Sequence, residues 1–409
     1  MIDQPLDPRN AGRTSSRASA SEEAGASYLR EVLRQTFSQW PARLGLLWLG
    51  LLIIMAAFAP LIANSHPLLV SENGDTSSPL LMHLTPADVI LLAAFFAVPL
   101  IVTLMPARLI LRLGTLAAVL AVISLLSFAL ITVPALTVFE QYREARAHGQ
   151  FDWVLMTPVP YSPRDYLRDQ GSAGLQPPRA DAEHVHWLGT ETNGADVLSR
   201  MIYAARIALG IGFIATGIAM LIGILVGGLM GYFSGFVDIA GMRLVEIFES
   251  VPTLFLLLTF VAFFGRSLYI MMVIIGITSW PLYARYIRAE FLKLRQQEFV
   301  QAAIGSGLPL PAILFRHMLP NAIAPVLVAA SFGVASAILA EATLSFLGLG
   351  LVDEPSWGQM LNQAVQSSTF NWWMAAFPGG AIFLTVFSYN LIGEALRDAI
   401  DPFLSKPVS

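Results

Sequence analysis

Repeated runs of about twenty apolar residues dominate this chain, and they leave few ways for it to fold. A helix rising about 1.5 Å per residue needs roughly 20 such residues to cross a hydrocarbon layer of about 30 Å. Eight segments are predicted to do so, near residues 44–63, 88–105, 113–137, 206–232, 245–264, 268–287, 321–349 and 375–395. Within a bilayer every backbone polar group needs an internal partner, so an all-α polytopic protein is expected. The composition agrees, with 56% hydrophobic and 13% charged residues, against about 25% charged in an ordinary soluble domain.

Charge gives the expected orientation. Arg30, Arg34 and Arg43 precede the first span, whereas residues 64–87 hold no Lys or Arg, so the N-terminus is expected on the cytoplasmic side. Alternation then puts Arg108, Arg112, Arg243, the run Arg288, Lys293, Arg295 and Arg316, and finally Arg397 and Lys406 inside. The stretch from Glu140 to Arg200 is external despite its arginines, because loops this long escape the rule. Residues 1–27, rich in Ser, Ala, Gly and charge, read as a disordered tail. Residues 28–43 carry Tyr28, Leu29, Val32, Leu33, Phe37 and Trp40 at helical spacing and read as an interfacial amphipathic helix. The remainder divides into a first span to residue 63, an additional hairpin region at 64–139, an external lobe at 140–205 and a core at 206–403.

Several chemistries are not expected. With no cysteine there is no disulfide or thiolate site. The net charge of −4 comes with scattered basic residues and gives no nucleic-acid footprint. Of six histidines only His184 and His186 are close, without a cysteine or acidic cluster, so no metal site is expected. Glu246, Glu249, Glu341 and Glu394 fall in or near spans, where a proton relay is one reading. A position at a helix end, or pairing with a neighbour such as Arg243, Arg285 or Arg397, is the favoured one. No P-loop or dinucleotide fingerprint occurs, so no ATP site is expected here, and neither is a bound cofactor.

The most informative segment is 289–320, which interrupts the spans with charged and small residues. A helix is predicted over residues 289–306, with Ala302 and Ala303 forming a smooth patch. Gly307 supplies the left-handed turn that ends it, and a second short helix starts after Pro311. Prolines 309, 311 and 320 restrict the flanking hinges. The expected product is a knob suited to docking another protein.

The knob resembles the cytoplasmic motif of importer permeases of the ATP-binding-cassette (ABC) class, E-A-A-x-x-x-G followed by a spacer, an apolar residue, x, Leu-Pro. Ala302, Ala303, Gly307, Leu319 and Pro320 stand at its spacing, while Gln301 replaces the acidic residue. Similarity to the dipeptide and oligopeptide permeases (DppC/OppC) runs through residues 188–200, 280–285, 316–321, 341–350, 355–358 and 396–402. Ala195 replaces a usual arginine there. Residues 64–70 and 158–162 look more like the YejE-type branch, whose relatives import microcin C and other peptides.

The resemblance implies a type I ABC-importer fold in a bacterial inner membrane, with both termini cytoplasmic and the spans at 88–137 additional to a six-span core. It implies a non-catalytic subunit that contacts membrane lipid, pairs with a sister permease as a heterodimer and receives cargo from a periplasmic binding protein. ATP would be held by partner ATPase subunits, separate or fused, that dock on Gln301, Ala302, Ala303 and Gly307, with Arg316, His317, Leu319 and Pro320 beside them. The alternative is a secondary carrier driven by an ion gradient, which calls for ionisable groups in mid-span and two similar halves.

Overall fold

In a computed structural model of the chain, residues 32, 34–104, 109–131, 138–167, 174–178, 185–351 and 354–400 are described. The expected tail at 1–27, the start of the interfacial helix, His184 and Lys406 lie outside them. Residues 34–38 are helical and lead into α1, Trp40–Ile62. Helices α2, Pro86–Leu104, and α3, Leu109–Leu130, form the additional hairpin. The core follows as α4, Val197–Phe233; α5, Gly235–Ser250; α6, Thr253–Phe264; and α7, Leu268–Leu294. It continues as α8, Glu298–Gly305; a π-helical turn, Ala312–Met318; α9, Leu319–Leu344; α10, Trp357–Gln366; and α11, Trp372–Ile400.

Six described helices are long and apolar enough to cross a membrane, and a seventh span arises if the bent pair α5 and α6 counts as one. The expected continuous span at 245–264 is therefore corrected: it breaks, with an angle of 81° between α5 and α6. Pro252 is the cause. Its ring forces Val251 out of the helical region, to φ −96° and ψ 125°, and it has no N–H to continue the ladder. The expected span at 113–137 is represented by α3, whose apolar part, Gly114–Leu130, is short; residues 132–137 lie outside the described set.

Helix α4 is the axis of the fold. Its residues enter four apolar clusters: one with α1, α9, α10 and α11, one with α6, α7 and α9, one with α7, α8, the π-helical turn and α9, and one in which Ile202 meets Ala59 of α1 and Tyr161. The α4–α7 pair packs backbone to backbone through Gly223, Gly227 and Gly231, four residues apart on one face. A Cβ at Gly227 would stand 2.3 Å from the carbonyl oxygen of Ala284, and one at Gly231 would stand 2.5 Å from Cβ of Phe291. Small residues at this spacing replace the hydrophobic driving force that lipid removes between helices.

At the N-terminal end of α4 sits a polar lobe. Its three-stranded antiparallel sheet has β1, Leu69–Glu72, between β2, Asp75–Ser77, and β3, Trp153–Leu155, with Val70 opposite Ser77 and Leu69 opposite Leu155. Asp196 caps α4 by accepting from the Ser199 N–H at 2.7 Å, and its other oxygen meets Nδ1 of buried His186 at 2.8 Å. Buried Glu191 pairs with Arg200 at 2.9 Å, and Nε1 of Trp373 donates to the Thr190 carbonyl at 3.1 Å. The segment 188–200, read as a signature from sequence, is thus a buried polar joint between lobe and spans. Burial pushes the Glu191 carboxyl up to about 7 against the opposing pull of Arg200. Burial, with neighbouring His83, lowers His66 of the same lobe to about 4.

The span acids divide as follows. Glu246 pairs with Arg243 and Glu249 with Arg285, whereas buried Glu341 accepts from the Ser345 hydroxyl at 2.6 Å. One further pair joins α2 to the core: Asp88 meets Arg206 of α4, whose Nε also donates to the Ala56 carbonyl of α1 at 2.6 Å. Among the described residues no group of histidines and acids could hold a metal ion.

Candidate docking site

The segment expected as one helix over 289–306 is two. Helix α7 ends at Leu294, residues 295–297 turn, and α8 runs from Glu298 to Gly305 after an extended Gln297, φ −74° and ψ 143°. The reason lies in burial. At about 100° per residue, Phe291 and Val300 would face opposite sides of a straight helix. The break lets both enter one cluster with Ala303, Ile313, Leu314 and Met318.

Gln301 is exposed, and its Nε2 donates to the Arg295 carbonyl at 2.7 Å. That bond ties α8 to the end of α7. A glutamate there, acceptor only when ionised, could not make it. The departure from the resembled motif therefore carries its own local chemistry.

Ala302 and Ala303 do not form one patch. Ala302 is exposed, but Ala303 is buried against the chain's own core. A helix turns too far between neighbours for both to face a partner. The side of α8 beside Ala302 instead carries Phe299, 43% exposed and three residues away, while exposed Ile304 lies on the other side of the buried face and Leu308, 38% exposed, follows the Gly307 turn. Sequence reasoning passed over those three; the signal was a short helix with apolar residues on both faces, one for its own core and one left over.

Gly307 has φ 72°, the left-handed conformation that costs other residues roughly 1 kcal/mol. Its N–H donates to the Ile304 carbonyl at 2.9 Å, and the Leu308 N–H to the Ala303 carbonyl at 3.3 Å, a Schellman closure. A Cβ on Gly307 would meet nothing within 4 Å, so only backbone strain opposes a side chain there. Arg316 is exposed and His317 half-buried at the end of the π-helical turn; Leu319 is half-buried, and Pro320 is exposed in the first turn of α9.

The knob is braced from behind. Arg288 clamps Asp238 of α5, with Nη2 to Oδ2 at 2.6 Å, and Arg295 Nη1 donates to the Ser234 hydroxyl at 2.6 Å while stacking over Tyr232. Ser234 follows the last residue of α4, so the knob and the polar lobe occupy opposite ends of that helix.

Comparison with known proteins shows the family. Residues 223–406 match the family described as "Binding-protein-dependent transport system inner membrane component", and residues 27–83 match "N-terminal TM domain of oligopeptide transport permease C". The dipeptide transport system permease protein DppC of Alkalihalophilus pseudofirmus is 38% identical over 58% of this chain and 77% of its own length. The oligopeptide transport system permease protein OppC of Escherichia coli K12 is 37% identical over 70% of this chain and 86% of its own. Among solved structures, an inward-facing MetNI methionine ABC transporter chain overlaps with a TM-score of 0.42 at 18% identity, covering 49% of this chain and 97% of that one. The chain belongs to the DppC/OppC-type family of ABC-importer peptide permeases.

Proposed function

We propose that this chain is the permease subunit of an inner-membrane importer for peptides or peptide-like compounds, driven by partner ATPases that dock on α8. The carrying observation is the pairing of peptide-permease relatives with an exposed apolar face on a helix braced to α4, α5 and α7. A surface so placed passes a push from a docked protein directly to three spans. Energy comes from outside because the sequence holds no P-loop. In this reading ATP stays with the ATPases, both termini face the cytoplasm, a sister permease completes the pathway, and a binding protein delivers cargo at the lobe. Microcin C stands as the finer cargo, supported by the resemblance of residues 64–70 and 158–162 to the YejE-type branch.

The test is co-purification of the ATPase, and cargo-stimulated hydrolysis, with Ala302→Asp and Gly307→Val. Both variants should retain insertion and lose at least tenfold in stimulated hydrolysis. Full ATPase binding and uptake in both would overturn the docking assignment. Uptake driven by a proton gradient without ATPase would favour the secondary carrier. For microcin C, deleting the chain should make a sensitive host resistant.

A further inference from the structure

At the end of the bundle opposite the knob, α6 and α7 are joined by a short turn, Gly265, Arg266 and Ser267. Helix α7 has 27 residues, roughly 40 Å at about 1.5 Å per residue, so its start at Leu268 lies across the bilayer from the knob. Next to that turn the two helices leave a groove of about 350 Å³. Phe260 and Phe264 of α6 and Tyr269, Val273 and Ile277 of α7 line it, and no lining side chain is charged. Ile277 lies about 14 Å along α7 from Leu268, so the groove runs through the leaflet opposite the knob and stops near mid-bilayer.

Arg266 belongs to the mouth of this groove, because in the chain it falls between Phe264 and Tyr269, which both line it. It is exposed and has no ion-pair or hydrogen-bond partner among the described residues. Arg206, Arg243, Arg285 and Arg288, by contrast, each hold a carboxylate of this chain. Short loops on the face away from the cytoplasm are poor in Lys and Arg. A lone arginine in so tight a turn there calls for an anion that the chain does not supply.

The membrane supplies one. A phospholipid carries phosphate directly above hydrocarbon, which is the order met here, guanidinium at the rim and apolar wall below. The guanidinium fork matches phosphate oxygens two at a time. Tyr269, 73% exposed, adds a phenol at the depth where amphipathic rings collect. A zwitterionic headgroup brings its own cation to its phosphate, so an unpaired arginine favours an anionic one. The groove has room for much of one acyl chain but not for a helix, about 10 Å across.

We infer that the α6–α7 groove is a binding site for one anionic phospholipid, with its acyl chain along Phe260, Phe264, Val273 and Ile277 and its phosphate on Arg266. The site is separate from the docking knob and does not depend on what the cargo is.

The experiment takes the permease–ATPase complex, delipidated in mild detergent, and counts bound lipids by native mass spectrometry as phosphatidylglycerol or phosphatidylcholine of equal chains is added. The unaltered complex should hold one phosphatidylglycerol at least tenfold more tightly than phosphatidylcholine. Arg266→Gln should erase that preference, as expected for loss of a charge-assisted bond. Val273→Trp, which fills the groove from a half-exposed position, should displace both lipids from it. Glycerol phosphate, a headgroup without chains, should not compete; full competition would make this a free-anion site and sink the lipid reading. Equal binding of the two lipids, or a preference unmoved by Arg266→Gln, overturns the site. A photo-crosslinking residue in place of Phe264 should capture lipid in the assembled complex. Capture of the sister permease there instead would make the groove a subunit contact and overturn the proposal.

Discussion

Helices α2 and α4 are about equally apolar, yet 6% of the most apolar stretch of α2 is buried within the chain and 39% of that of α4. Apolar character alone therefore does not bring two helices together in a bilayer, because lipid tails satisfy a Leu as well as a neighbouring helix does. What separates them is backbone access. Helix α4 carries glycines four residues apart, so α7 can approach to backbone contact. Helix α2 has no glycine and packs mainly on α3 and α1, through Phe95 and Phe96 against Phe58 and through Asp88 to Arg206. The hairpin lies in the stretch between the two family matches.

Four measurements can break or sharpen that contrast. The largest effect should come from Gly227→Val, whose Cβ would overlap the Ala284 backbone. Overpacking against rigid backbone should cost about 3 kcal/mol and abolish recovery of folded complex in a thermal size-exclusion assay. A variant of unchanged stability would remove glycine spacing as the reason for the α4–α7 seam.

Next is Asp88→Ala, which takes the carboxylate from partly buried Arg206. A loss of about 2 kcal/mol is expected for a charged bond, together with faster proteolysis between α2 and α3. Adding Arg206→Leu should recover part of that loss, because the uncompensated charge goes too. No change in the single variant would mean that lipid packing alone holds the hairpin.

The third concerns the lobe, where buried polar groups hold the end of α4 in place of glycines. Glu191, raised to about 7, binds its proton more tightly when folded, so its contribution falls as pH rises from about 4.5 to 7. His66, lowered to about 4, loses its proton more easily when folded, so its contribution rises with pH from about 4 to 6.5. The two slopes oppose, and the unaltered protein should change by less than about 1 kcal/mol across that window. Glu191→Gln should leave stability rising with pH, and His66→Asn should leave it falling, as read by melting temperature between pH 4.5 and 7. Identical slopes in all three proteins would contradict both assignments.

The smallest effect should follow Leu125→Ala in α3, where the side chain is 72% exposed within the chain. A change within about 0.5 kcal/mol is expected. A large loss would show that α3 packs on a partner subunit and not on lipid.

Much of the architecture was legible because membrane burial imposes a length rule and a satisfaction rule on each segment separately. Helices α1, α2, α4, α7 and α11 overlap their expected spans, and Gly307 has the left-handed turn expected at the end of the helix it follows. The expected pairing of Glu246 and Glu249 with arginines also holds, since opposite charges one or two turns apart on a helix, or on adjoining helices, are within reach. Less legible was anything that depends on which way a helix faces. Ala303 reads like Ala302 in sequence, and only the cluster around Phe291 and Val300 turns it inward.

From its sequence alone, this protein was determined to be a multi-span helical membrane chain with an interrupting knob, because hydropathy and the placing of charged and small residues are properties of linear segments. Only the tertiary structure decided the break of the knob helix at residues 295–297, the inward turn of Ala303 and the Asp88–Arg206 tie. Each of these joins residues far apart in the chain or rotates a helix about its axis. Such choices are settled by the packing of all neighbours at once, which no single segment encodes.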